Sequence, residues 1–295
     1  CVCVCVCVCV LGVEFADIDQ HPTRVRLPAE PLMLVDRIIA IEGEAGSLGP
    51  ARIVTEHDIH AGAWYLDGGR IPTCIAVEAG QADLFLSAWL GIDRVTKGNA
   101  VYRLLDANIT FHDQMPGPGA RIRYDIRINR FFMLGATHLF QFEFDASVDG
   151  RPLLTMRDGS AGFFTAAELA AGQGIVDPKI PLAALDSNAI ASDHNTWLAP
   201  SLSGAERYSD QQMDALRDGD LAACFGAGFD TLAMQRAETL PSGRMRLVHR
   251  VVDIQAPHDG QPGRIIGEAD IHRDDWFLTC HFIDDQVMPG TLMYE

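Results

Sequence analysis

A histidine, a Pro-Gly pair and a carboxylate stand close together in this 295-residue chain, at His281, Pro289-Gly290 and Glu295. The histidine precedes the pair by eight residues (289 − 281) and the carboxylate follows it by five (295 − 290). The pair leads into Thr-Leu-Met-Tyr, so a tight turn entering a helix is expected there. A helix start presents free N–H groups and the positive end of its dipole. Histidine is the side chain whose ordinary pKa lies nearest neutrality. A carboxyl can act as an acid at that pH when apolar surroundings keep it protonated. Base, amide-rich turn and acid together suit proton transfer next to a polarised carbonyl.

The same signature occurs earlier in degenerate form. Leu34-Val-Asp-Arg37 matches Leu247-Val-His-Arg250. Asp58-Ile-His60 and Trp64-Tyr-Leu66 match Asp270-Ile-His272 and Trp276-Phe-Leu278, while Pro72 and Glu78 match Pro289 and Glu295. The offset is 212 at the tryptophans (276 − 64) and 217 at the prolines (289 − 72). The later copy therefore has five extra residues before its proline (217 − 212), and His281 lies in that longer segment. The earlier copy has only Asp67-Gly-Gly-Arg-Ile71 there, with no histidine. Self-similarity of this kind is an internal repeat. The later copy stops where its helix begins and is too short to bury a core alone, so a piece of a longer polypeptide is expected.

The elements that must position these groups follow from patterning. Residues 1–10 are a bare Cys-Val repeat, read as a tag or artefact and set apart from the fold; 11–31 form a lead-in. The first unit spans 32–165, with strands at Leu32–Ile41 and Ala51–Thr55. Pro72 to Leu90 is expected to be one long helix, with proline in its first turn and Gly91 beyond its end. It is apolar on most sides, so a sheet should wrap it. Period-two segments at 107–112, 121–129, 138–145 and 153–164, with turns at Pro116–Gly119 and Asp149-Gly150, give an antiparallel sheet. One buried helix gripped by such a sheet is α+β. Residues 166–243 read as a linker with a helix from a capping box at Ser209 and Gln212. The second copy, 244–295, is truncated.

A formal charge of −17 argues against nucleic acid or an anionic membrane as the main partner. No apolar run is long enough for a membrane span. Outside the Cys-Val repeat only Cys74, Cys224 and Cys280 remain, scattered as expected for reduced thiols in a cytoplasmic protein.

Cys280-His-Phe-Ile-Asp-Asp-Gln-Val-Met-Pro-Gly290 closely resembles the active-site motif of β-hydroxyacyl–acyl-carrier-protein dehydratases of the hot-dog fold, hydroxydecanoyl type. Trp64 to Gln81 and Leu153 to Gly159 are similar to dehydratase regions of bacterial polyunsaturated fatty acid and polyketide synthases. The resemblance implies a tandem double hot-dog with the second copy truncated. It further implies a hydro-lyase that forms trans-2-enoyl thioesters, with His281 removing the α-proton and a carboxyl protonating the departing hydroxyl. Gly290 N–H is implied to polarise the thioester carbonyl, and Pro289, Phe282 and Val287 to lie along the substrate. No cofactor or metal is implied, the acyl chain being carried on the phosphopantetheine of an acyl carrier protein among the domains of a larger synthase.

In this family the base and acid come from opposite hot-dogs. If the two copies form a pseudo-dimer, His281 meets Glu78, the preferred pairing; if the second copy pairs with an identical chain as a homodimer, Glu295 is the acid. Both copies carry glutamate where the hydroxydecanoyl type has aspartate, and Gln286 stands where proline is usual. These departures bear on double-bond isomerisation more than on dehydration.

Blander readings stand beside these. Glu78 could be a hydrogen-bonded buried carboxylate. His60 and His272 read as turn residues rather than metal ligands. Cys280 is expected on the opposite face of a strand from His281, which disfavours a Cys/His nucleophile. Arg121, Arg123 and Arg127 read as a solvated sheet face, and Asp284 and Asp285 as positional loop residues. The competing functional classes are a non-catalytic hot-dog scaffold or acyl-binding module and a hot-dog thioesterase.

Overall fold

The computed structural model describes residues 11–172, 207–229, 240–257 and 262–294; the Cys-Val repeat and Glu295 lie outside them. The chain divides into two compact units. One is formed by residues up to Leu169 together with those from Ile271 onward, the other by Ala170–Asp270.

The first unit carries a six-stranded antiparallel sheet in the order β1-β2-β4-β5-β6-β3. Its strands are β1 (Arg37–Glu42), β2 (Ala51–Asp58), β3 (Ala100–Phe111), β4 (Arg121–Leu134), β5 (Thr137–Val148) and β6 (Arg151–Thr165). β4 shows why one face goes inward. Ile122, Tyr124, Ile126 and Ile128 are buried, while Arg121 and Arg123, which alternate with them, are exposed. Against the buried face lie α1 (Thr73–Glu78), α2 (Asp83–Trp89) and α3 (Ile92–Thr96), with Cys74 to Glu78 and Asp83 to Ala88 all buried. A helical core wrapped by one curved antiparallel sheet is α+β and has the hot-dog arrangement that the resemblance implied.

Three expectations change. The helix over 72–90 is broken at Ala79–Ala82, where Gly80 and Gln81 N–H groups donate to Val77 and Glu78 carbonyls, three residues back, at 3.0 Å. Gly80 lies so near the Phe144 ring that a Cβ there would stand 2.7 Å from it. The chain breaks its helical repeat around that close approach. The first strand starts at Arg37 rather than Leu32, and β3 starts at Ala100, earlier than its alternation implied.

The second unit contains α5 (Asp210–Arg217), α6 (Leu221–Phe225) and the hairpin β7 (Arg250–Gln255) with β8 (Arg264–Glu268); α4 (Ala166–Ala171) precedes them in the chain. Ser209 and Gln212 close a capping box at the start of α5, as expected. Tyr208, Met213, Cys224 and Val251 form its small core.

The β7–β8 hairpin repeats β1–β2. Arg37 pairs with Glu56 in register and Arg250 with Glu268, and each hairpin shifts register soon after, at Ile38/Ala40 and Val251/Asp253. Arg37 bonds Glu56 and Asp58; Arg250 bonds Glu268 and Asp270. The turns that follow match too: Ala63 and Leu66 N–H donate to the carbonyls of His60 and Ala63, and Asp275 and Leu278 N–H to those of His272 and Asp275.

Candidate active site

The chain from Ile271 onward belongs to the first unit, which sets His281 against Glu78. Asp275 precedes α7 (Trp276–Cys280), and His281 caps its C-terminal end instead of standing in a strand. Cys280 is buried with its thiol on the Phe277 carbonyl at 3.6 Å, so it is engaged away from the imidazole. The segment after His281 turns back on itself through Phe282 N–H to Asp285 O at 2.6 Å and Val287 N–H to His281 O at 2.9 Å.

His281 Nδ1 lies 2.9 Å from the Val287 carbonyl. A carbonyl oxygen only accepts, so Nδ1 carries the proton and the Nε2 of a neutral ring presents its lone pair. Nε2 faces Glu78, whose Oε1 is 3.9 Å away. The other carboxylate oxygen, Oε2, accepts from the Thr291 hydroxyl at 2.6 Å. Glu78 is 7% exposed and His281 9%, so the pair is nearly shut off from bulk water. The Phe282 ring packs on the imidazole with centroids 3.9 Å apart.

Both groups open onto a cavity of about 400 Å³. Its apolar walls include Val77, Leu84, Leu105, Ile109, Met156 and Val287, and Gly290 with Thr291 closes one side. An apolar cleft with a few convergent polar groups suits an apolar chain with a polar end. Beside it Tyr102 O–H donates to Asp83 at 3.1 Å. Burial pushes both the Asp83 carboxyl and the Tyr102 phenol well up from their ordinary values.

Of the residues picked from sequence, His281, Glu78, Val287 and Gly290 line the cavity. Phe282 and Pro289 do not; Phe282 backs the imidazole instead. Gly290 opens a single 3₁₀ turn, Gly290–Met293, rather than a helix among the described residues. Thr291 does not stand out in the sequence, although it lies inside the Pro-Gly-Thr run; its signal is a hydroxyl beside the expected turn. Arg103 and Tyr102 also border the cavity without a motif to mark them, as does Gln81 at the end of the Trp64–Gln81 stretch. Among the described residues no group of three or more histidine, cysteine or acidic side chains could hold a metal, and no helix is long and apolar enough to cross a membrane.

Known proteins match the stretches that carry this site. A FabA-like domain matches residues 27–157 and 240–295. A polyunsaturated fatty acid synthase polypeptide of Thraustochytrium sp. is 39% identical over 292 residues, covering 96% of this chain and 19% of the relative. The chain thus spans about a fifth of that relative's length. Among solved structures it is similar to the dehydratase heterocomplex ApeI:P from Xenorhabdus doucetiae (17% identity, 52% of this chain and 96% of that one, TM-score 0.35). A hypothetical thioesterase with coenzyme A from Streptococcus pneumoniae is also similar (11% identity, 45% and 88% covered, TM-score 0.28).

Proposed function

The chain belongs to the FabA-like domain family, and on that premise we propose that it dehydrates β-hydroxyacyl thioesters, with His281 as base and Glu78 as acid. The observation that carries this reading is the facing of His281 Nε2 and Glu78 Oε1 at 3.9 Å on one wall of an apolar cavity. β-Elimination needs a base at Cα and an acid at the oxygen on Cβ, atoms one bond further apart than the carbons themselves. A base and acid this close can serve both at once, on the same face of the substrate. His281 Nε2 takes the α-proton, the Cα electron pair forms the double bond, and the Cβ–O bond breaks. Glu78 gives its proton to the leaving oxygen, so water departs and a trans-2-enoyl thioester remains. Thr291, bonded to the other Glu78 oxygen, fixes the direction in which the acid points. Gly290 N–H is assigned to the thioester carbonyl as enolate charge develops. Passage of the proton from His281 to Glu78 restores both groups, and no cofactor is invoked.

The same reading takes the chain as the start of a tandem pair of hot-dogs. Trp64 and Trp276, equivalent by the repeat, touch each other edge-on with ring centroids 4.8 Å apart. Contact between equivalent residues is what a two-fold relation produces near its axis. The repeated hairpin supports it from a second direction. In this arrangement the first hot-dog supplies Glu78 and the second His281, while Glu295 falls at the position opposite the histidine-free segment 67–71. On this reading the substrate is carried by an acyl carrier protein within a larger synthase; the Thraustochytrium relative is by name a polyunsaturated fatty acid synthase subunit.

The test is dehydration of a β-hydroxyacyl carrier thioester by the synthase polypeptide, wild type against His281→Ala. A loss of roughly 10²- to 10⁴-fold is expected for removal of the base. Dehydration that persists in the variant would overturn the assignment, and a wild-type protein with no dehydration would leave a non-catalytic module.

A further inference from the structure

The imidazole is aimed by one carbonyl, Val287 O, in a turn closed on itself by three backbone bonds, two reciprocal ones between Phe282 and Asp285 and one from Val287 N–H to His281 O. The turn is held from outside through two acidic side chains. Arg103 of β3 grips Asp285 with both of its terminal nitrogens, Nη1 to Oδ2 at 2.6 Å and Nη2 to Oδ1 at 3.1 Å. Arg26 of the lead-in bonds Asp284, whose same oxygen accepts from the Arg24 backbone N–H at 3.2 Å. The lead-in is itself fastened. Val25 N–H donates to both oxygens of buried Asp93 at 3.1 and 3.2 Å, and Ala29 N–H donates to the Cys280 carbonyl at 3.0 Å. A strap over residues 24–29 therefore ties the segment that carries His281 to α3, while Arg103 ties it to the sheet.

These pairs are only partly exposed. The side chains of Arg26 and Asp284 retain 19% and 17% of their accessible surface, and those of Arg103 and Asp285 25% and 15%. A two-pronged arginine–carboxylate contact fixes direction as well as distance, which a lysine does less well. Arg24, Val25 and Arg26 precede residue 27, where the FabA-like match begins, while Ala29 lies inside it.

We propose that Arg26 and Arg103 are positioning residues: by holding Asp284 and Asp285 they keep the Val287 carbonyl on His281 Nδ1 and so leave Nε2 free to face Glu78. Neither arginine reaches the reacting atoms in this scheme. The inference rests on His281 being the base, but its geometric content does not depend on turnover.

The tautomer of His281 reads it directly. The full chain is labelled with ¹⁵N-histidine, the His281 ring signals are identified by their loss in His281→Gln, and spectra are taken where the ring is neutral. Wild type should carry the proton on Nδ1. Arg26→Gln with Arg103→Gln together should move most of the population to the Nε2 tautomer that free imidazole side chains favour. Arg103→Lys should lie between the two. If the double variant does not fold, Asp284→Asn and Asp285→Asn break the same contacts one at a time from the other side and should shift the tautomer in the same direction. In the synthase polypeptide the same variants should lower kcat roughly tenfold to a hundredfold, as for a misaimed catalytic group, with KM within about twofold. Folded variants that keep the wild-type tautomer would overturn the proposal. A wild-type protein with the fixed Nδ1 proton but no dehydration would instead overturn the functional assignment and leave the positioning intact.

Discussion

The hairpins β1–β2 and β7–β8 share a register, a bulge and an arginine fork, yet they live in different surroundings. β2 is largely buried and pairs onward with β4, whereas every residue of β8 is exposed and its partner among the described residues is β7. The local sequence is enough to specify the hairpin, since it forms in both places. Burial depends on what is laid beside it. Differences inside the repeat are as instructive. Where the first copy has Asp36, His57 and Tyr65 in contact, with His57 Nε2 2.7 Å from the Tyr65 hydroxyl, the second has His249, Ala269 and Phe277. Where the first closes segment 67–71 by reciprocal bonds between Asp67 and Arg70 at 3.0 and 2.9 Å, the second inserts the histidine. The frame is repeated and the chemistry is not.

The sharpest way to break that asymmetry is at the two glutamates. Glu78→Gln should cut dehydration by the synthase polypeptide about 10²- to 10⁴-fold, the usual worth of a positioned general acid. Glu295→Gln should change it by less than about threefold; the reverse order of effects would assign the acid to the second copy.

Next in size is Gly80→Ala. A Cβ at that position meets the Phe144 ring at 2.7 Å, and overpacking of a filled core costs about 1–3 kcal/mol. A chemical denaturation midpoint that does not fall would mean the break between α1 and α2 has another cause.

A pH experiment separates the lead-in from the hairpins. Burial pushes the Asp93 carboxyl up to about 7 from an ordinary 3.8. The folded chain therefore holds this proton more tightly than the unfolded chain. The stability it contributes is complete below about pH 3.8 and is lost progressively as the pH rises through about 7. Asp93→Asn removes that dependence while keeping an oxygen for Val25 N–H. Its melting temperature relative to wild type should climb between pH 5 and pH 8; a constant difference would contradict the assignment.

The smallest effect is expected from the arginine forks. Arg37→Ala and Arg250→Ala each remove solvent-accessible ion pairs, which are worth little. Both should lower the melting temperature only slightly and to a similar degree. A large loss at one alone would show that the resemblance between the hairpins stops at geometry.

Much of this is legible in the sequence. The offset of the repeat marks the longer segment that holds His281 and matches Glu78 with Glu295, because matching prolines and tryptophans carry the register of the two copies; the preference for Glu78 rests on the family resemblance. The alternation along β4 and β5 predicts the sheet and its inner face. The broken helix is not legible, since the approach of Phe144 to Gly80 is a contact between elements that no local pattern records. Phe282 and Pro289 fall on the substrate by their neighbourhood in the motif, but direction is set by the turn after His281, not by proximity in the chain. Arg103 and Asp285 are 182 residues apart, and nothing in the charge pattern of either segment names the other.

The distance between Arg26 and Asp284, 258 residues along the chain, also has a meaning in time. At about 5–20 residues added per second, the strap waits roughly 13 to 50 seconds on the ribosome for the carboxylate it will hold. The sheet and central helices can close well before that, because their strands and helices all lie within residues 37–165, which emerge earlier than Asp284. The His281–Glu78 contact is thus assembled on a scaffold that can already be folded, and a nascent chain passes that interval with Glu78 in place and His281 still to come.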